Sequence, residues 1–127
     1  MRILYWGTPA YAVPTLRQLH QAGHTIVGVV SQPDRRRGRG QQLVASAVKQ
    51  EALNLNLPVF TPERIKKDSD CQAQLAALKA DASVVVAFGQ ILPLEVLEQP
   101  PLGCWNGHGS LLPVSYTHLR AHETNSN

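Results

Sequence analysis

Asn106, His108 and Ser110 stand two positions apart in the run Asn-Gly-His-Gly-Ser. An extended backbone alternates its side chains, so all three would project to one side at the end of a strand. A carboxamide beside an imidazole suits a carbonyl oxygen as it becomes an oxyanion, and the chemistry suggested is acyl transfer. The competing reading is a polar loop that happens to carry an exposed histidine. A second cluster is cationic. Residues 34–39 (Asp-Arg-Arg-Arg-Gly-Arg) carry four positive charges and one negative, which accounts for the whole formal net charge of +3. Such a loop fits phosphate contacts, or it is a solvated face and nothing more. Gly7-Thr8-Pro9 occupies the place of a phosphate-cradling turn, but GxGxxG would need glycine where Pro9 and Ala12 stand, which argues against a dinucleotide site. Cys71 and Cys104 lack CxxC spacing and read as two buried thiols, not a disulfide framework or a zinc site. His20 and His24 flank a helix end, where they cap or solvate it and receive no further role.

The elements that must position these groups follow from periodicity. Residues 2–6 (Arg-Ile-Leu-Tyr-Trp) read as a buried strand, closed by the turn residues Gly7-Thr8-Pro9. Ala12, Val13, Leu16 and Leu19 fall at helical spacing, with Pro14 in the first turn and Gly23 as the stop. Residues 25–30 (Thr-Ile-Val-Gly-Val-Val) form a second strand buried on both faces. Residues 31–42 show no period and read as an exposed mobile loop, after which Val44, Val48, Ala52 and Leu55 mark a second helix. A short strand at 58–60, a helix through Cys71, Leu75 and Leu78, and the strand 84–88 (Val-Val-Val-Ala-Phe) follow. A helical turn at 94–97 and a weaker strand at 103–108 complete the pattern. Alternating strands and helices imply the α/β class, a doubly wound, Rossmann-like and mostly parallel sheet. In such a sheet the ligand crevice lies beyond the carboxyl ends of the strands, here after Trp6, Ser31, Phe88 and His108.

The chain has 127 residues, 43% hydrophobic and 17% charged, with nine Gly and nine Pro, a composition that excludes collagen, disorder and several domains. No apolar run approaches the roughly 18 residues of a membrane span, and no signal-peptide pattern follows Met1, so the expectation is a cytoplasmic protein with no membrane partner.

Four segments, in order, resemble the N-terminal half of the methionyl-tRNA formyltransferase family. They are residues 7–14 (Gly-Thr-Pro-Ala-Tyr-Ala-Val-Pro), Gln32-Pro33-Asp34-Arg35 with Gly38-Arg39-Gly40, residues 86–93 (Val-Ala-Phe-Gly-Gln-Ile-Leu-Pro) and residues 106–113 (Asn-Gly-His-Gly-Ser-Leu-Leu-Pro). The Gln-Pro-Asp-Arg loop separates this family from glycinamide ribonucleotide formyltransferases, and sugar-nucleotide formyltransferases lack the arginine loop. The resemblance implies transfer of a formyl group from the co-substrate 10-formyltetrahydrofolate to the amino group of methionyl initiator tRNA, with no metal, by an enzyme monomeric at full length. Asn106 and His108 match the catalytic pair. Phe88, Gly89, Gln90, Ile91 and Leu92 match the loop lining the folate pocket, and Ser110, Leu111, Leu112 and Pro113 match the folate-binding segment. Arg35, Arg36, Arg37 and Arg39 match the loop that enters the tRNA acceptor arm, although Arg36 and Arg37 replace the Pro-Ala common there. Another folate-dependent formyltransferase, or a non-catalytic RNA-binding module working through residues 35–39, are the alternatives.

Residues 1–113 therefore read as a partial formyltransferase domain, incomplete at its C-terminus, and residues 114–127 as a non-native tail. Residues 114–124 (Val-Ser-Tyr-Thr-His-Leu-Arg-Ala-His-Glu-Thr) back-translate to a sequencing-library adapter of the transposase-end kind. The helical spacing of His118 and His122 is accordingly not read as a metal site. The family's catalytic aspartate and its C-terminal tRNA-binding barrel have no counterpart in this sequence. The expectation is an inactive fragment with an unpaired sheet edge and marginal stability.

Overall fold

A computed structural model describes residues 1–108 and 110–113 of the chain. The elements run β1 (Arg2–Gly7), α1 (Val13–Gln21), β2 (Thr25–Val30), β3 (Arg35–Arg37), β4 (Gln42–Val44), α2 (Ala47–Asn54), β5 (Val59–Phe60), α3 (Ser69–Ala77), β6 (Ala82–Val86), α4 (Leu94–Glu98), β7 (Cys104–His108) and β8 (Ser110–Pro113). Short 3-10 turns at Ala10–Ala12 and Ile65–Lys67 lead into α1 and α3.

Six strands form one sheet in the order β5-β2-β1-β6-β7-β8. All neighbouring pairs are parallel except β7 with β8, which is an antiparallel hairpin. This is the doubly wound α/β architecture expected from the strand and helix alternation. Its two faces carry separate cores because β1 alternates. Ile3 and Tyr5 pack with Val13 and Leu16 of α1 and Val48 and Ala52 of α2, whereas Leu4 and Trp6 pack with Cys71 and Leu75 of α3 and Val96 and Leu97 of α4. Where β2 pairs with β1 the register slips, because Ile3 faces Ile26 and Leu4 faces Gly28. Val27 is the extra residue, and the bulge keeps both Val27 and Gly28 toward the α3 side. A Cβ on Gly28 would lie 3.0 Å from Leu78 and 3.1 Å from Phe60, so even a methyl there requires those side chains to give by a few tenths of an ångström.

Local signals set the helix ends. Pro14 sits in the first turn of α1, and Gly23 beyond its end takes φ +94. Ser46 caps α2 by accepting the Lys49 N–H at 3.0 Å, and Asp68 caps α3 through the Cys71 N–H at 2.9 Å. Arg17 of α1 grips the Glu51 carboxylate of α2 through two nitrogens, at 2.8 and 3.1 Å. That bond holds the Glu51 carboxyl below its usual range. His20 is exposed on the last turn of α1, and His24 accepts a hydrogen bond from the N-terminal ammonium.

Three expectations need correction. Residues 31–42 are not a structureless loop, because Arg35, Arg36 and Arg37 pair with Val44, Leu43 and Gln42 in a two-stranded ribbon. Val44 therefore belongs to a strand, exposed, and not to α2. The fourth main strand ends at Val86 instead of Phe88, because Ala87 takes a left-handed φ of 52° and turns the chain out of the sheet. The sheet also does not end at β7, since β8 covers its outer edge.

Candidate active site at the carboxyl ends of the central strands

β1 has β2 on one side and β6 on the other, so the strand order reverses just past Gly7 and Val86, the place where open α/β sheets bind ligands. The two strands approach so closely that a Cβ on Gly7 would lie 2.9 Å from the Val86 carbonyl oxygen. Just beyond, Thr8 ties the strand ends together. Its Oγ1 donates to the Phe88 carbonyl at 2.7 Å and accepts the Gln32 N–H at 3.3 Å.

Loop 88–92 is held by amide side chains. Gln32 donates through Nε2 to the Gly89 carbonyl at 2.9 Å. Gln90 donates to Gln32 Oε1 at 2.9 Å and to the Pro62 carbonyl at 2.9 Å, and its own Oε1 accepts the Ile65 N–H at 2.8 Å. Gly89, at φ +97, lies directly under Gln32, where an added Cβ would come within 2.6 Å of Nε2. Of the loop residues expected to line a folate pocket, Phe88 and Leu92 point into the core, with Phe88 edge-on to Trp6 at 5.2 Å between ring centroids. Trp6 in turn donates to Ser83 Oγ at 3.2 Å inside the fold. Gln90 is committed to protein partners. The loop therefore presents the Gly89 backbone and the exposed Ile91 outward.

Asn106 is half-buried on β7, level with Val85 of β6, one residue before β6 ends. His108 lies two residues further along the same strand. Ser110 does not continue their line. The chain reverses between them, so Ser110 stands opposite His108 in the hairpin and Leu112 stands opposite Asn106. The antiparallel register still brings Asn106, His108 and Ser110 together in the sheet, by pairing instead of by alternation along one strand. Leu111 and Pro113 pair with Gly107 and Trp105.

The arginines are separated by the ribbon. Arg35 and Arg37, two apart on β3, line a cavity of about 420 Å³ with Thr8, Gln32, Ser46 and Gln50. Arg36 instead donates to the Gln41 carbonyl at 2.9 Å across the ribbon turn. Arg39 stands exposed in that turn, beside Gly38 at φ +76. At the ribbon's root Lys49 bonds Asp34 at 2.9 Å, and the Ser31 and Ser46 hydroxyls share a hydrogen bond.

Both cysteines are free and buried. Burial pushes the Cys104 thiol up to about 12. Cys71 is pushed to about 11, by burial and then by the nearby Asp68 carboxylate. Neither is a nucleophile at neutral pH. Burial likewise raises the Tyr5 phenol, which donates to the Ala12 carbonyl. Among the described residues no group of three or more His, Cys, Asp or Glu side chains could hold a metal ion, and no helix is long and apolar enough to cross a membrane. His118 and His122 lie outside the described residues.

Thr8 and Gln32 were not marked as site residues by the sequence, although both fall in the segments that carry the resemblance. A hydrogen bond closing 57 residues, from Gln32 to Gly89, has no local signature.

The formyl transferase family model matches residues 1–125, and the chain belongs to that family. Among curated proteins it is 80% identical, over 113 residues, to the methionyl-tRNA formyltransferase of Synechococcus sp. (strain CC9605); this covers 89% of the chain and 33% of that protein. It is 68% identical over 111 residues to the protein of the same name from Prochlorococcus marinus (strain MIT 9313), covering 87% of the chain and 32% of that protein. The chain thus spans about a third of the length of these relatives. A crystal structure of phosphoribosylglycinamide formyltransferase from Bacillus halodurans superposes with a TM-score of 0.62 at 15% identity, over 100% of this chain and 66% of that one, and shares the fold.

Proposed function

We propose that the chain is the folate-facing and RNA-facing part of an enzyme that transfers a formyl group from 10-formyltetrahydrofolate to the amino group of methionyl initiator tRNA, acting as a monomer in the cytoplasm without a metal. The observation that carries this reading is the 80% identity to a protein named methionyl-tRNA formyltransferase, supported by a strand-order reversal of the kind beside which open α/β sheets bind ligands.

The attacking amine adds to the formyl carbon and the carbonyl oxygen takes up negative charge; as the carbonyl re-forms, the bond from carbon to the folate nitrogen breaks, and that nitrogen takes the electron pair and a proton to match the one the amine loses. Asn106 and His108 are the residues we assign to that oxygen and to the proton leaving the amine. Loop 88–92, with Gly89 and Ile91 outward, and residues Ser110, Leu111, Leu112 and Pro113 are assigned to the folate. Arg35, Arg36, Arg37 and Arg39 are assigned to the phosphates of the acceptor arm, with Arg36 acting chiefly by holding the ribbon turn. Residues 1–113 form the partial formyltransferase domain in this reading, and residues 114–127 a tail foreign to it.

The test is a chimera in which residues 1–113 replace the matching segment of the Synechococcus relative, assayed with the folate donor and charged initiator tRNA. The chimera should transfer formyl groups, and Asn106→Ala or His108→Ala within it should reduce kcat by about a hundredfold or more, the loss usual for one oxyanion donor. The 127-residue chain alone should show no turnover. A folded chimera without activity, or one indifferent to both substitutions, overturns the proposal.

A further inference from the structure

Gln32 and Gln90 are more completely engaged than a loop requires. Gln32 is 8% exposed, and its backbone N–H and both ends of its side-chain amide are bonded, to Thr8, Gly89 and Gln90. Gln90 makes three bonds with its amide, one to Gln32 and two to the turn before α3, at Pro62 and Ile65. The pair thereby joins the ends of β1, β2 and β6 to the turn before α3. Gln32 is also the root of the arginine ribbon, since Pro33 and Asp34 alone separate it from the first residue of β3. Asp34 is clamped by Lys49 at 2.9 Å, and Ser31 on the other side of Gln32 is bonded to Ser46. A displacement of the ribbon root therefore reaches Gln32 within two residues, and Gln32 sits on Gly89.

We infer that Gln32 and Gln90 are positioning residues that couple the arginine ribbon to loop 88–92, so that an RNA phosphate backbone engaging the ribbon alters the order of the loop assigned to the folate. This deepens, and rests on, the assignment of the ribbon to RNA and the loop to folate. By reciprocity the coupling runs both ways, so a ligand ordering the loop steadies the ribbon. The coupling element is a physical chain of amide bonds, and breaking either glutamine should disconnect the two sites.

The first test needs no ligand. Amide hydrogen exchange of Ile65, whose N–H is bonded to Gln90 Oε1 and so reports the seating of the loop, is measured in the full chain, in Lys49→Ala, in Gln32→Met and in the double variant. Lys49→Ala, which releases Asp34, should speed this exchange by roughly threefold to tenfold, the factor of one net hydrogen bond. Gln32→Met should speed it too, and Lys49→Ala should then add nothing further. Methionine keeps the volume above Gly89, and Gln90→Met provides the same cut from the other side should Gln32→Met fail to fold. Additive effects, or a loop indifferent to Lys49→Ala, overturn the inference. The second test follows backbone amide signals during titration with a short RNA acceptor-stem hairpin. Signals of the ribbon and of residues 89–91 should both move in the parent chain, and only those of the ribbon in Gln32→Met. Ribbon shifts without loop shifts in the parent overturn the coupling. No shift anywhere removes the RNA assignment instead, while the exchange experiment still decides whether ribbon root and loop are linked.

Discussion

Replacing Gly89 by alanine tests the construction of the crevice directly. Gly89 has φ +97, a conformation that costs a residue with a Cβ about 1–2 kcal/mol. The new methyl would also stand 2.6 Å from Gln32 Nε2, well inside any tolerated contact. Gln32 is a long side chain and could swing aside, but its Nε2 is bonded to Gly89 and its Oε1 to Gln90. Moving it forfeits two hydrogen bonds, each worth about 1 kcal/mol net. The total is about 3–4 kcal/mol, against about 5–15 kcal/mol for a domain of ordinary stability. For a chain of this size that lowers Tm by roughly 10–15 °C. The assay is thermal and urea unfolding followed by far-UV circular dichroism. Gly103→Ala is the control, because Gly103 has a similar φ of +81 but nothing within 4 Å of the added methyl, so it reports backbone strain alone. Once Gln32 is cut to alanine, Gly89→Ala should cost no more than Gly103→Ala does. Equal losses for Gly89→Ala and Gly103→Ala in the parent chain would refute the view that Gln32 rests on Gly89 and is held there by its bonds.

Thr8→Val removes the hydroxyl that donates to Phe88 and accepts from Gln32 while keeping the shape, and should cost about 1–3 kcal/mol in urea unfolding, with Thr8→Ser close to the parent. Stability should fall in alkali. The Cys104 thiol is pushed to about 12 from an ordinary 9.0, and Cys71 to about 11. The unfolded chain loses these protons first, so the contribution is complete below pH 9.0 and disappears as pH rises through the folded values. The slope approaches about 1.4 kcal/mol per pH unit for a buried thiol, and Cys104→Ala should flatten it in urea midpoints taken across that window. Above the ordinary phenol value of 10.0 Tyr5 adds to the loss in the same direction. In RNA binding, Arg37→Ala should lower the salt slope by about one phosphate contact, roughly 0.7–0.9 in log K against log salt. Arg36→Ala should change the slope less, because Arg36 is already bonded to Gln41.

The centre of the main sheet was legible because β1, β2 and β6 are short apolar runs rich in β-branched or aromatic residues and buried on both faces. Residues 25–30 match β2 at both ends, and the periodic positions Val13 and Leu16, Val48 and Ala52, and Cys71 and Leu75 are the ones the helices bury. The arginine ribbon was not legible. Its residues are exposed on every side, so no alternation of apolar and polar positions marks them, and periodicity is the main signal by which a strand is found. The end of β6 escaped for the opposite reason. Phe88 is as apolar as the strand before it, and nothing in Val-Val-Val-Ala-Phe announces that Ala87 will take a left-handed turn.

For the candidate site the division is similar. Residue order alone placed Asn106 and His108 at the carboxyl end of a late strand and the arginines after β2, because a doubly wound sheet leaves its crevice only where strands end. What Ser110 faces, which arginines line the cavity, and which members of loop 88–92 remain free were decided in three dimensions. Phe88 depends on Trp6, and Gln90 on Gln32, Pro62 and Ile65, partners far along the chain, whereas Ser110 and Arg36 depend on nearer reversals, of the strand after His108 and of the ribbon turn at Gln41. A polar side chain carries no mark of the distant carbonyl or amide that will claim it. Burial is a property of a residue in its own strand or helix, whereas a hydrogen bond between loops exists only once the sheet has brought their ends together.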